Sequence, residues 1–109
     1  MDTVRQLKAS IFQGLAHPTR LAIVELLRDG ELSVGEIFGR LHMEQSTVSQ
    51  HLAVLRARRL VTTHREGNQV FYSLRAPILK RVLELVRRYA VSHLAEDLAL
   101  LQEMQDESR

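Results

Sequence analysis

Apolar and polar positions alternate along this chain at two spacings, and the change from one to the other predicts its elements. Val4, Leu7, Ile11, Phe12 and Leu15 recur at helical spacing, so residues 2–15 read as an amphipathic helix with Gly14 near its end. His17-Pro18 opens a second helix, because proline at a first helical position removes an N–H that would have no partner. Leu21, Val24 and Leu27 form its inward face, and Gly30 is a natural stop. Ser33-Val34-Gly35-Glu36 fits a capping box that starts a short third helix burying Ile37, Phe38 and Leu41. Gly39 and His42-Met43 bend the chain into a fourth helix. The spacing then shortens to two. Leu60 to Arg65 and Gln69 to Leu74 read as strands joined by the turn Glu66-Gly67-Asn68, in which Gly and Asn accept positive φ. Pro77 begins a last helix that runs to about Met104.

The fourth helix, within Met43 to Leu60, carries the most informative pattern. Val48, Leu52, Leu55 and Arg59 fall on one side on a 3.6-residue period. The three apolar residues pack inward there, with the Arg59 stem laid along the edge. The opposite side begins with Ser46, Thr47, Ser49 and Gln50 and continues with Ala53 and Ala57, which let another surface come close. Short hydroxyls and amides read base edges, and the guanidinium groups of Arg56, Arg58 and Arg59 hold phosphates. Two short helices joined by a tight turn, the second polar on its outer face, form a helix-turn-helix pattern. A hairpin directly after it is a wing, and Arg65 beside its tip is placed to reach a phosphate or the minor groove. The candidate DNA-binding residues are therefore Gln45, at the helix start, with Ser46, Thr47, Ser49, Gln50, Arg56 and Arg65.

Charge supports this reading by its distribution. The formal net charge is only +2, but residues 45–75 carry five arginines against one glutamate. From Ala95 onward there are five acidic residues against one arginine. A local basic block is a better footprint for nucleic acid than net charge. At 109 residues and 45% hydrophobic, the chain makes one small domain with a modest core. On the last helix, Val82, Val86, Tyr89 and His93 form one stripe and Leu79, Leu83, Ala90 and Leu94 a second, continued by Leu98, Leu101 and Met104. So broad a stripe exceeds what one small core needs. The expectation is one winged helix-turn-helix domain over residues 1–109 whose terminal helices, about 2–15 and 77–104, form a homodimer interface.

Cysteine is absent, which removes disulfides, thiolate metal sites and a Cys nucleophile. With no glycine-rich phosphate loop and no nucleophile–base pairing, an enzyme is not expected. No apolar run is long enough to span a bilayer and the N-terminus lacks a signal-peptide core, so a cytoplasmic protein is expected. Among five histidines, His17 belongs to a helix start, His42 to a turn, His51 to the flank of the buried stripe and His64 to the wing. His93 stands one helical turn from Glu96 and Asp97, with Tyr89 on the same face. Imidazole and carboxylates together suit Zn²⁺ or Ni²⁺; the competing reading is a hydrogen-bonded His–carboxylate cluster.

The segments HPTRLAIVELL (17–27), ELSVGEI (31–37), QSTVSQHLAVLRARRLV (45–61) and REGNQVFYSL (65–74) together resemble the ArsR/SmtB family of winged helix-turn-helix repressors. The resemblance covers nearly the whole chain. It implies a mainly helical fold with a β-hairpin wing, in the order α1-α2-α3-α4-β-β-α5. It further implies a homodimer through the terminal helices and repression from a palindromic operator; many members release DNA when a metal binds. Two departures stand out. Ser33 and Gly35 occupy the places where thiol-sensing members carry cysteine, and neither supplies a soft ligand. Ala76, Ile78, Tyr89 and Ser92 occupy places where other members carry metal ligands on the last helix. Two alternatives to a metal-responsive regulator follow: control by a partner regulator protein, or a winged-helix module that binds protein and not DNA. Ser46, Ser49, Gln50 and Arg56 argue against the last, which calls for an apolar or acidic surface.

Overall fold

The structure is a computed structural model that describes residues 2–108. Five helices run Thr3–Leu15 (α1), Pro18–Leu26 (α2), Val34–Leu41 (α3), Gln45–Ala57 (α4) and Ile78–Glu107 (α5). Three strands, Leu32–Ser33 (β1), Val61–Glu66 (β2) and Gln69–Leu74 (β3), form one antiparallel sheet in the order β1-β3-β2. The helix order and the wing are those anticipated. The strand β1 is an addition: Leu32 and Ser33 pair with Tyr72 and Phe71 and fasten the entry of α3 to the wing.

Local chemistry sets the helix ends. Asp2 caps α1 by accepting from the Val4 N–H at 3.0 Å. His17 caps α2 through Nδ1, which accepts from the Thr19 N–H at 3.0 Å. The capping box at Ser33 is complete, with Ser33 Oγ accepting from the Glu36 N–H and Glu36 Oε1 from the Ser33 N–H, both at 3.2 Å. His42 closes α3 in the left-handed region, φ 54°, and opens the turn into α4. The hairpin turn uses Gly67 at φ 60°, where a side chain would be strained.

The core of the unit formed by residues up to Leu79 gathers around α2 and α4. Ile23, Val24 and Leu27 meet Ile37 of α3, Val48, Leu52 and Leu55 of α4, and Leu60 and Val61 at the start of the wing, all buried. Two expectations shift here. Ile23 is fully buried, whereas Leu21 is only half-buried. The reason is that α2 packs on α1, α3 and α4 together, so more than one stripe of it is covered. Phe38 and Leu41 of α3 are likewise half-buried beside a fully buried Ile37. A second unit begins at Lys80; from there α5 continues unbroken to Glu107, and no residue of that helix is buried. Among the described residues, no helix is long and apolar enough to cross a membrane.

Candidate nucleic-acid interface

Helix α4 is two-faced, as its sequence period requires. Val48, Leu52 and Leu55 are buried against the core. Ser46, Ser49, Gln50, Ala53, Arg56 and Ala57 are exposed. Gln45 is exposed in the first turn, where Glu44 provides no side-chain cap. Uncapped N–H groups at a helix start present partial positive charge, which suits a phosphate. Thr47 differs from its neighbours. It is half-buried and shares a stripe with His51, Val54 and Arg58, all half-buried too. Of the candidate residues on α4, the structure therefore brings Ser46, Ser49, Gln50 and Arg56 onto one outer face and places Thr47 at its border.

Arg65 lies exposed on β2, opposite Val70 and one pair from the turn that joins Glu66 to Gln69. Its wing neighbour His64 is differently engaged. His64 Nδ1 lies 3.2 Å from Glu31 Oε2, His64 Nε2 lies 3.4 Å from Glu66 Oε1, and the ring stacks on Phe71. Both nitrogens thus face carboxylates, so His64 organises the wing instead of offering a free donor to DNA.

The three arginines at the end of α4 divide into separate roles, which corrects the expectation that all three hold phosphates. Arg56 remains on the outer face. Arg58 caps the helix, and its guanidinium Nη1 turns inward to donate to Gln13 Oε1 at 2.7 Å and Ser10 Oγ at 3.2 Å. Arg59 stands beyond the helix in the left-handed region, φ 60°, and is exposed, so its stem does not line the inward edge. The strand β3 adds a residue that periodicity did not single out. Tyr72 lines an open cleft with Ser49, Ala53, Arg56 and Ala57 of α4. The two alanines leave room between helix and wing, and the phenol and guanidinium supply donors.

His51 sits on the flank of α4, half-buried, with its ring centroid 4.2 Å from that of His17. Its Nδ1 lies 3.4 Å from Arg20 Nη1. Burial first, and then the neighbouring His17 and Arg20, hold this imidazole below its ordinary value, so the neutral ring that accepts from Arg20 is favoured. On α5, His93 Nε2 lies 3.7 Å from Asp97 Oδ2 and stacks with Tyr89 at 6.5 Å. Glu96 is not drawn into that pair. Among the described residues of one chain, no three His, Asp or Glu side chains converge as a metal ion would need.

Comparison with known proteins points the same way as this geometry. Residues 17–63 match the family described as bacterial regulatory protein, arsR family. The uncharacterized HTH-type transcriptional regulator Rv0081 of Mycobacterium tuberculosis is 38% identical over 104 residues, spanning 94% of this chain and 91% of that protein. Its crystal structure superposes with a TM-score of 0.80 at 36% identity, covering 90% of this chain and 99% of that one. The transcriptional activator HlyU of Vibrio cholerae is 45% identical over 78 residues, 72% of each chain. The solution structure of Mb0332 from Mycobacterium bovis, described as a homodimeric winged helix-turn-helix DNA-binding domain, gives a TM-score of 0.78 at 31% identity, covering 85% of this chain and 86% of that one.

Proposed function

We propose, from the premise that this chain belongs to the ArsR family of bacterial regulatory proteins, that it regulates transcription in the bacterial cytoplasm as a homodimer on a two-fold-symmetric operator. Bound there it represses, by excluding other proteins from the DNA it covers. The observation that carries this reading is the outer face of α4, where Ser46, Ser49, Gln50 and Arg56 project to solvent from a helix held rigidly by Val48, Leu52 and Leu55. Such a face places short donors and acceptors against base edges in a major groove, while Arg65 on the wing meets the backbone beside it.

Two reading helices must stand about 34–36 Å apart to enter successive major grooves on one side of DNA. One chain carries a single such helix, so a second copy is required. The surfaces offered to it are apolar and uncovered in one chain: Val86, Leu94, Leu98 and Leu101 on α5, and Val4, Leu7 and Phe12 on α1. Exposed apolar residues repeated along each of these helices mark an interaction surface on each.

Selection from a random-sequence DNA pool, followed by mobility shift on the enriched site, tests the reading. An enriched site with dyad symmetry supports it. Failure to enrich any sequence at low salt would move the assignment to a protein-binding winged helix. Metal control has a narrower basis. His93 and Asp97 supply one imidazole nitrogen and one carboxylate per chain, fitting Zn²⁺ or Ni²⁺ only if a second copy completes the ligand set.

A further inference from the structure

We propose that Arg58, together with Arg20, is a positioning residue for operator reading: it locks the last turn of α1 to the reading helix and thereby sets the spacing at which two copies of α4 meet DNA. The inference rests on the dimeric DNA-binding reading above.

The clamp has two jaws. From the end of α4, Arg58 Nη1 donates to Ser10 Oγ at 3.2 Å and to Gln13 Oε1 at 2.7 Å. From α2, Arg20 Nε donates to the Gly14 carbonyl at 2.6 Å and Nη2 to the Gln13 carbonyl at 3.1 Å. Arg20 Nη1 also reaches His51 Nδ1 on α4 at 3.4 Å. The carbonyls concerned belong to the final turn of α1, which carries the negative end of the helix dipole; that of Gln13 also accepts from the capping Ala16 N–H at 3.3 Å, and the guanidinium adds a second donor to it. Cations are favoured there for both reasons.

Gly14 shows how closely the two helices are drawn together. It is buried, and a Cβ on it would sit 2.7 Å from Leu60 Cδ1 and 3.1 Å from Arg58 Cβ. The chain thus meets α4 through the one residue type that leaves room for the Arg58 stem. α1 also carries exposed Val4, Leu7 and Phe12, the part of the dimer surface that lies in the same unit as α4. A rotation of α1 against α4 would therefore turn the reading helix relative to the two-fold axis. The clamp resists that rotation with hydrogen bonds from two guanidinium groups, whose planar forks fix direction as well as distance.

The test uses the full-length protein and the operator that wild type selects from a random pool. Affinity is then measured on versions of that operator whose half-sites are moved apart or together one base pair at a time. Wild type is expected to fall off steeply away from its preferred spacing. Arg58→Met keeps the stem and loses the donors; its discrimination between spacings should shrink by about tenfold, as expected for lost charge-assisted hydrogen bonds. Its salt dependence should stay that of wild type, because no phosphate contact is lost. Arg58→Lys should restore part of the preference, since both bonds leave from a single nitrogen. A paired Ser10→Ala, Gln13→Ala variant removes the acceptors without touching α4 and should reproduce the Arg58→Met result, which covers the case in which Arg58→Met does not fold. Unchanged spacing discrimination in the α1 variant, or a uniform loss in Arg58→Met with a shallower salt slope, overturns the clamp alone. Failure of wild type to select any DNA overturns the underlying reading as well.

Discussion

The imidazole of His51, on the reading helix, lies against that of His17, the cap of α2, with ring centroids 4.2 Å apart and planes inclined by 40°. Both rings work as acceptors. His17 Nδ1 takes the Thr19 N–H, and His51 Nδ1 faces a guanidinium that is always charged. A proton on His51 Nδ1 ends its bond and adds a cation to a cluster that already holds Arg20.

Stability should therefore fall with acid. The folded chain holds His51 below its ordinary value, so as pH drops below about 6.5 the unfolded chain takes up a proton first. The stabilisation is fully present above that value. It is lost through the window between the unfolded and the lower folded value. Urea midpoints at about pH 8 and about pH 5 should differ more for wild type than for His51→Gln. Parallel curves for the two proteins would show that another group controls the transition.

Base reading and backbone anchoring should separate by mutation. Gln50→Ala is expected to cost about 1–3 kcal/mol on the selected operator and to relax preference at one position. Arg65→Ala should weaken binding to every sequence and lower the salt slope by about 1. If Gln50→Ala loses the same affinity on all DNA, Gln50 does not contact a base.

Dimerisation and DNA binding should fail together. Val86 is 47% exposed in one chain, on the apolar stripe of α5. Val86→Asp places a charge where a second copy would have to desolvate it, which is strongly unfavourable without a partner. Sedimentation should find monomer, and mobility shift should find no operator complex. A stable dimer from this variant would assign the interface to another surface.

The capping box should matter to the whole helix-turn-helix. Ser33 is buried and closes both bonds of the box while pairing β1 with β3. Ser33→Ala should cost about 1 kcal/mol in chemical unfolding. A change within error would mean that strand pairing alone holds the start of α3.

Metal binding can be read directly by calorimetric titration with Ni²⁺ and Zn²⁺, with and without operator. If His93 is a ligand in the dimer, His93→Ala should abolish the high-affinity phase. If metal is an effector, the two titrations should differ by about 1–3 kcal/mol in coupling. Equal metal affinity in wild type and His93→Ala removes His93 from any site.

Much of this molecule follows from its sequence, because the relevant physics acts within a turn or two. The period that buries Val48, Leu52 and Leu55 also exposes Ser46, Ser49 and Gln50, so one pattern places both faces of α4. Ser33 and Glu36 cap each other over three residues, and Gly67 admits the positive φ of the wing turn by itself. Other features were decided only when distant segments met. Two residues, Leu32 and Ser33, are too few to show alternation, and they become a strand only because β3 presents free partners beside them. Ile23 is fully buried because three helices converge on α2, not because of its own period. Tyr72 reaches the reading face through the register of a sheet closed elsewhere in the chain. Arg56, Arg58 and Arg59 are chemically alike and adjacent in sequence. One faces outward, one grips α1 from 45 residues away, and one stands in a left-handed turn. A guanidinium on a long flexible stem carries no local preference among such partners, so its role is set by the acceptors that the fold brings within reach.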